Sequence, residues 1–314
     1  MIDVLGLGEA MVALRADQPL LTGASLRMSV AGAEANVCIG LARLGHTARW
    51  TGLTGRDAFG AYVRRTLRAE GVDLTYAEEA DAPTGLVVFE PRIAHLTRVA
   101  YYRTGSAGSR LDPDHVRRAL TEPPRVIHAT GVTAALGPDP LAAVRAAADA
   151  AAGSGTLLCL DVNHRERLWS REAAAAALRP LMGRVDILVA SDDELPLAAP
   201  AGARSEREQV AALLAAGVRE VVVKRGADGA EVFDASGAVR RAAVPVPVRD
   251  TVGAGDAFVA GYLSALLDGA PVAARLERAV TTGAFAVASA GDWEGLPDRD
   301  ELGLLGVAPG STIR

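Results

Sequence analysis

The chain is poor in several residue types, and each shortage narrows its class. Its 314 residues include only two cysteines, Cys38 and Cys159. Both lie inside apolar segments, so buried free thiols are expected rather than a disulfide framework. That suits a reducing cytoplasm. Aromatic residues are 4% of the chain while half of it is apolar, so a sizeable core has to be built from Ala, Val and Leu. No apolar stretch is long enough to span a bilayer. Ile2–Leu7 reads as a buried strand without the positive flank of a signal peptide. Positive charge is in deficit, with a net charge of −5, which argues against a nucleic-acid partner. Neither a Walker A loop nor a G-x-G-x-x-G finger is present.

Two further scarcities are informative. Lys224 is the only lysine, and Asn36 and Asn163 are the only asparagines. Lys and Asn use AT-rich codons, so a GC-rich genome suppresses them. The few that remain are candidates for chemistry.

Short apolar runs occur at Ile2–Leu7, Thr47–Leu53, Val126–Ala129, Leu157–Leu160, Ile187–Val189 and Glu220–Val223. Helical patterns separate most of them, at Glu34–Leu44, Asp57–Glu70, Pro138–Ala152, Arg171–Leu181 and Ser205–Ala216. This alternation predicts βαβ units and a mostly parallel sheet in one large α/β domain. The last third reads as two long helices, Gly253–Leu267 and Val272–Ser289. Two segments, about 11–31 and 84–104, lack a helical period and read as β-hairpin material. Extra strands of this kind predict a separate small sheet, a lid over a site at the carboxyl ends of the parallel strands.

The densest chemistry is Asp250-Thr-Val-Gly-Ala-Gly-Asp256, followed directly by an apolar helix. Gly253 and Gly255, with Ala254 between them, let the backbone turn with its N–H groups pointing one way. The helix start adds partial positive charge. The result is an anion hole with Asp256 at its lip. A carboxylate there suits a general base that takes a proton from a hydroxyl attacking a phosphoryl group. A tight turn with Asp256 as an N-cap is the plainer alternative.

Four other constellations accompany it. Gly32 and Asn36 open the first helix, where glycine permits close approach and Asn supplies a donor and an acceptor; an ordinary helix start explains them equally. Tyr101 and Arg103 share one strand face, and Arg103 suits a carboxylate; a solvated edge strand would look the same. Asp161-Val-Asn163-His164-Arg165 follows a strand directly, with Asn163 and Arg165 again alternating onto one face that would point into a ligand crevice; a salt-bridged loop is the alternative. Ser191-Asp192-Asp193-Glu194 ends another strand and could hold a hydrated Mg²⁺ or simply favour a helix start. Lys224 ends a β-branched strand just before Gly226 and Gly229, a place where a nucleotide could approach the backbone; a plain hairpin turn is the alternative.

In this order and spacing the motifs resemble the ribokinase/PfkB family of carbohydrate kinases, from Gly6-Leu-Gly8-Glu9 to about Leu305. Within it, Gly32-Ala-Glu34-Ala-Asn36, Tyr101-Tyr102-Arg103 with Gly105–Ser109, and Asp161–Arg165 with Leu168-Trp169 resemble 2-keto-3-deoxygluconate kinases, as does Gly291-Asp292. The resemblance implies a ribokinase-like three-layer α/β/α fold with a β-sheet lid. It also implies ATP- and Mg²⁺-dependent phosphorylation of a sugar-acid hydroxyl, with a monovalent cation such as K⁺ as a further expectation. Asp256 matches the family's base, and Gly253, Ala254 and Gly255 its anion hole. Gly32, Asn36, Tyr101, Arg103, Arg165 and Asp292 fall on the sugar-acid side. Asn163, Lys224, Gly226 and Gly229 fall on the nucleotide side, and Glu194 on the metal. A homo-oligomer formed through the lid is expected.

This chain departs from the family pattern at Ala31, where a first glycine is usual, at Val87, where a tyrosine is common, and at Ser191, where Asn is usual. A carboxylate substrate gives Arg103 and Arg165 a partner that a neutral sugar does not. A fructokinase- or ribokinase-type enzyme for a neutral sugar is the alternative, and a catalytically silent sugar sensor a more distant one.

Overall fold

The structure, a computed structural model, describes residues 2–93 and 96–306. Fourteen strands are present among these residues. They are β1 (Val4–Leu7), β2 (Met11–Ala16), β3 (Leu26–Ala31), β4 (Ala48–Thr51), β5 (Leu53–Gly55), β6 (Glu78–Ala80), β7 (Leu86–Ile93) and β8 (Leu96–Tyr102). The remainder are β9 (Val126–Thr130), β10 (Leu157–Asp161), β11 (Ile187–Ser191), β12 (Glu220–Lys224), β13 (Ala230–Asp234) and β14 (Gly237–Arg241).

Eight strands form the main sheet in the order β14-β13-β12-β11-β10-β9-β1-β4. From β12 to β4 all pairs are parallel. Parallel strands covered on both faces need side chains that are apolar on both sides. β12 shows this residue by residue: Val221 and Val223 join one core, and Val222 joins the other. Helices Ala33–Arg43, Ala254–Leu267 and Val272–Val287 cover one face, and Pro138–Ser154, Arg171–Leu178 and Glu206–Ala215 the other. The three-layer expectation holds. Cys38 and Cys159 are buried free thiols in one core, as expected.

Local chemistry sets the helix starts. Asp57 accepts the Gly60 N–H at 2.7 Å, and Ser205 and Glu208 form a reciprocal capping box, each satisfying donors that helix geometry leaves unpaired.

One expectation needs correction and one alternative is met. The run Thr47–Leu53 is not one strand. A side chain at Gly52 would meet the Gly8 carbonyl and the Trp50 ring, and there the chain leaves the main sheet so that β5 pairs with β6. The segment after Lys224 is the turn of an antiparallel hairpin, which makes β13 and β14 the edge of the main sheet. β13 and β14 went unread because neither is a simple apolar run.

The two irregular segments build a four-stranded sheet, β3-β2-β7-β8. Each segment is an antiparallel hairpin, and β2 and β7 join the two in parallel. Residues 94–95, between β7 and β8 in the chain, lie outside the described residues. The small sheet has a thin core of its own, Met11, Ala13, Ala31, Val87 and Phe89. It lies across the carboxyl ends of the main strands near β1 and β9, neighbours at which strand order reverses, where crevices open in such sheets.

Candidate active site

Between the two sheets lies a cavity of about 420 Å³. The small sheet supplies Met11, Val87, Tyr101 and Arg103. The main sheet supplies Asn163, Arg165, Glu194 and Lys224. The Gly253–Asp256 turn forms part of the wall.

The turn is built by glycine. Gly253 has φ +74° and precedes the first residue of helix Ala254–Leu267. A β-carbon at Gly253 would collide with the Asp292 carbonyl, so both the dihedral and the packing require glycine. No side chain caps this helix. Its first N–H groups are little used, the Ala254 N–H making only a long bond to the Thr251 carbonyl at 3.4 Å, and they form the donor set an anion needs.

Asp256 follows in the first turn of that helix. Asn36 Nδ2 donates to its Oδ2 at 2.7 Å. Burial pushes the Asp256 carboxyl up to about 6; the Asn36 hydrogen bond and nearby Arg165 work against that rise. A carboxylate with this pKa is ionised at neutral pH yet more basic than an exposed one. Asn36 Oδ1 is buried without a hydrogen-bond partner, so Asn36 also offers the cavity an unused acceptor.

Lys224 Nζ binds both Asp161 oxygens, at 3.0 and 2.8 Å, beside Gly255. Burial lowers the lysine pKa, but the Asp161 carboxylate outweighs it, so the net shift is upward and the ammonium stays charged. Asn163 is the one non-glycine residue with positive φ, +39°, among the described residues. A short polar side chain tolerates that conformation, and the Asp161 carboxylate accepts the Asn163 N–H at 3.2 Å.

The predicted residues do not all arrive as expected. Arg103 reaches the cavity with Tyr101, whose ring lies 5.5 Å from its guanidinium. However, it is not an unpaired charge. It forms an ion pair with the buried carboxylate of Glu9, and the Ser106 hydroxyl donates to the other Glu9 oxygen at 2.5 Å. Arg103 therefore has a protein partner whether or not a carboxylate substrate binds. Arg165 differs: among the described residues no carboxylate pairs with it, and its only hydrogen bond goes to the His164 carbonyl at 3.1 Å.

Asp292 lines the cavity, but its carboxylate is held by Arg15. Burial pushes its carboxyl up to about 7 despite Arg15. Glu194 also lines the cavity, and each of its oxygens accepts a backbone N–H, from His164 at 2.7 Å and Ser191 at 2.9 Å. Gly226 and Gly229 are not in the cavity wall. Gly229 has φ +92° in the turn between β12 and β13, and a side chain there would collide with the Arg241 carbonyl at the end of β14, so this turn requires glycine. Gly32 has a packing reason too: a β-carbon there would lie 2.5 Å from the Glu9 carbonyl oxygen.

Sequence reasoning missed Glu9 and Arg15 as site residues. The available signal was an acid and a base embedded in apolar strand sequence, Gly8-Glu-Ala-Met-Val-Ala-Leu-Arg15. Charges are rarely retained at such positions without a partner.

An uncapped helix start, a basic carboxylate and a half-buried lysine around one cavity can position and stabilise a phosphoryl group in transfer to a hydroxyl. Comparison with known proteins agrees with that chemistry. The chain belongs to the pfkB family of carbohydrate kinases, whose family model matches residues 1–299. It is 37% identical to the 2-dehydro-3-deoxygluconokinase of Thermoproteus tenax, covering 96% of this chain and 93% of that protein. It is 30% identical to the 2-dehydro-3-deoxygalactonokinase of Haloferax volcanii, covering 97% of each. A solved structure of a putative ribokinase II from E. coli in complex with ATP and Mg²⁺ superposes with a TM-score of 0.88 at 25% identity, covering 97% of this chain and 99% of that one. Among the described residues no helix is long and apolar enough to cross a membrane.

Proposed function

We propose that this kinase transfers a phosphoryl group from ATP to the terminal hydroxyl of a sugar acid, with 2-keto-3-deoxygluconate (2-dehydro-3-deoxygluconate) as substrate. The observation that carries the acid is Arg165, a cavity-lining guanidinium without a carboxylate partner among the described residues. A substrate carboxylate would satisfy it with a charge-assisted bond contributing about 1.5–3 kcal/mol. The relatives from T. tenax and H. volcanii support the substrate class.

In this reading Asp256 takes the proton of the attacking hydroxyl while Asn36 holds the carboxylate in place. The N–H groups of Gly253, Ala254, Gly255 and Asp256 stabilise charge on the transferring phosphoryl. Lys224, kept charged by Asp161, sits beside Gly255 and adds a fixed positive charge there. Gly32, Tyr101, Arg103 and Asp292 shape the sugar side, and Asn163 the nucleotide side, with Gly226 and Gly229 in the hairpin turn beyond Lys224. Among the described residues no three acidic, His or Cys side chains converge on a metal position. Glu194 keeps spare lone pairs beyond its two backbone N–H bonds, which fits a Mg²⁺ held mainly by phosphate and water, with Glu194 ordering a water. The ion would neutralise phosphate charge. The small sheet, segments 11–31 and 84–104, acts as the lid that excludes water.

The exposed Leu26, Met28, Ile93, Leu96 and Tyr102 of that sheet support pairing with a second copy through the lid; sedimentation velocity would show a dimer, and a monomer at micromolar concentration would refute it. Two buried thiols suit a cytoplasmic setting.

One observation favours a second reading. Glu9 already neutralises Arg103, so one of the two arginines needs no substrate charge, and a neutral sugar fits the cavity better than sequence alone implies. A coupled ADP-release assay with 2-keto-3-deoxygluconate, 2-keto-3-deoxygalactonate, fructose and ribose decides. A preference of roughly a hundredfold for a keto acid, about what one charge-assisted contact supplies, supports the proposal. Preference for fructose or ribose overturns it in favour of the second reading.

A further inference from the structure

Arg15 lies near the end of β2, in the small sheet, and outside the cavity wall. Its guanidinium spans to the other side of the site. Nη1 donates to Asp250 at 3.2 Å, and Nη2 pairs with Asp292. Its partners come from sequence separations of 235 and 277 residues. The Phe89 ring, on the register-paired position of β7, lies 4.2 Å from the guanidinium carbon and fixes its plane. The pair side chains are 15%, 21% and 6% exposed for Arg15, Asp250 and Asp292. This is a shielded bridge between two layers, unlike an open surface pair.

The two acids are the segments that shape the anion hole. Asp250 starts the loop into Gly253, and its Oδ1 accepts the Val252 N–H at 3.1 Å. Its Oδ2 also accepts the Gly291 N–H at 3.4 Å, tying the loop to the Asp292 segment. The Asp292 carbonyl occupies the space a Gly253 side chain would need. Any displacement of Arg15 therefore acts on both sides of the Gly253 turn.

We propose that Arg15 is a positioning residue that couples the seating of the small sheet to the geometry of the anion hole, so that phosphoryl transfer is fast only when the sheet is docked. This rests on the kinase reading, not on the choice of sugar. Arg15 touches no reacting atom; it acts through Asp250 and Asp292. The coupling explains why a lid with so small a core can be held in register with a rigid helix start.

The test uses the full chain and whichever acceptor the wild type phosphorylates fastest, so a wrong sugar assignment does not disturb it. Arg15→Gln is expected to lower kcat between roughly tenfold and ~10²-fold, the range for a displaced catalytic geometry, while KM for ATP stays unchanged. Arg15→Lys, which keeps the charge and one bond, should recover part of that loss. Asp250→Asn keeps the acceptor for the Val252 N–H, and the Arg15→Gln/Asp250→Asn double variant should be little worse than Arg15→Gln alone, because the two act as one unit. Arg15→Gln with wild-type kcat and only a lowered melting temperature would reduce the bridge to structure and overturn the proposal. So would additive losses in the double variant, or a fall in kcat that Arg15→Lys does not relieve at all. Wild-type inactivity on every sugar tested would instead count against the kinase reading itself.

Discussion

The two walls of the cavity are made differently. The main-sheet wall presents groups fixed by backbone: an uncapped helix start, a lysine at a strand end held by Asp161, and Glu194 holding two N–H groups. Two large cores stand behind it. The small-sheet wall has five buried apolar residues on its cavity side, is tied to the large core by Val12 and Val30 on its other face, and carries ion pairs, Glu9 with Arg103 and Arg15 with Asp250 and Asp292. The difference separates two tasks. Stabilising a transferring phosphoryl requires donors that do not move, whereas admitting and enclosing a sugar requires a wall that can be released at modest cost. Charge pairs suit the second task because they are directional and reversible.

Changes in the rigid wall should cost most. Asp256→Asn is expected to lower turnover by about 10²–10⁴, typical of a lost general base, while the melting temperature at pH 7–8 does not fall, since a strained buried charge is removed. Near-normal ADP release in that variant would remove Asp256 from the reaction. Gly253→Ala comes next. It has to move the Asp292 carbonyl, and a loss of ~10²-fold in kcat is expected for so displaced an anion hole; unchanged kcat would mean the turn is not used.

The small-sheet side sharpens the contrast between the two arginines. Arg165→Ala should raise KM for the keto acid roughly ten- to a hundredfold, the equivalent of about 1.5–3 kcal/mol, with KM for ATP little changed. Arg103→Ala should chiefly destabilise, because it leaves Glu9 buried and unpaired, and Glu9→Gln in the same chain should restore much of the lost melting temperature. An Arg103→Ala variant of full stability but greatly raised KM for the acid would reverse the roles assigned to the two arginines.

The smallest effects are in pH. Asp256 has to be ionised to act, so kcat/KM of the free enzyme should fall about tenfold per unit below a midpoint near 6. Asn36→Ala removes the hydrogen bond that lowers this pKa, so the midpoint should move up; a downward or absent shift would refute the pairing. Stability has the opposite dependence. Burial pushes Glu34 up to about 7, against hydrogen bonds from Thr130 and Thr133, whose hydroxyls lie 2.7 and 2.6 Å away. A carboxyl whose pKa rises on folding contributes stability that is complete below its unfolded pKa and is lost as pH climbs through the folded one. Glu34→Gln should therefore be more stable than wild type in urea at pH 8, and the gain should vanish near pH 5.

Much of this was legible from residue order alone. The alternation of strands and helices, the small sheet from segments 11–31 and 84–104, and the Gly253–Asp256 turn are local patterns. Periodicity, capping and glycine geometry act over a few residues, so they can be read one stretch at a time. Even β12, the strand before the unread pair β13–β14, was clear because both of its faces are apolar. The hairpin β13–β14 was not, since an edge pair with exposed polar residues such as Arg240 and Arg241 has no apolar signature.

Tertiary structure alone decided which charges are free. Arg103 and Arg165 look alike in sequence, yet only Arg103 has a buried acid waiting for it 94 positions away. Arg15 gave no sign of binding Asp250 and Asp292. Whether a charge is paired depends on which segments packing brings together and how far water is excluded, and neither quantity is local to the residue. The sequence determined the sheet and the turn that carries Asp256; the packing of one small sheet against one large one determined what each arginine is left to do.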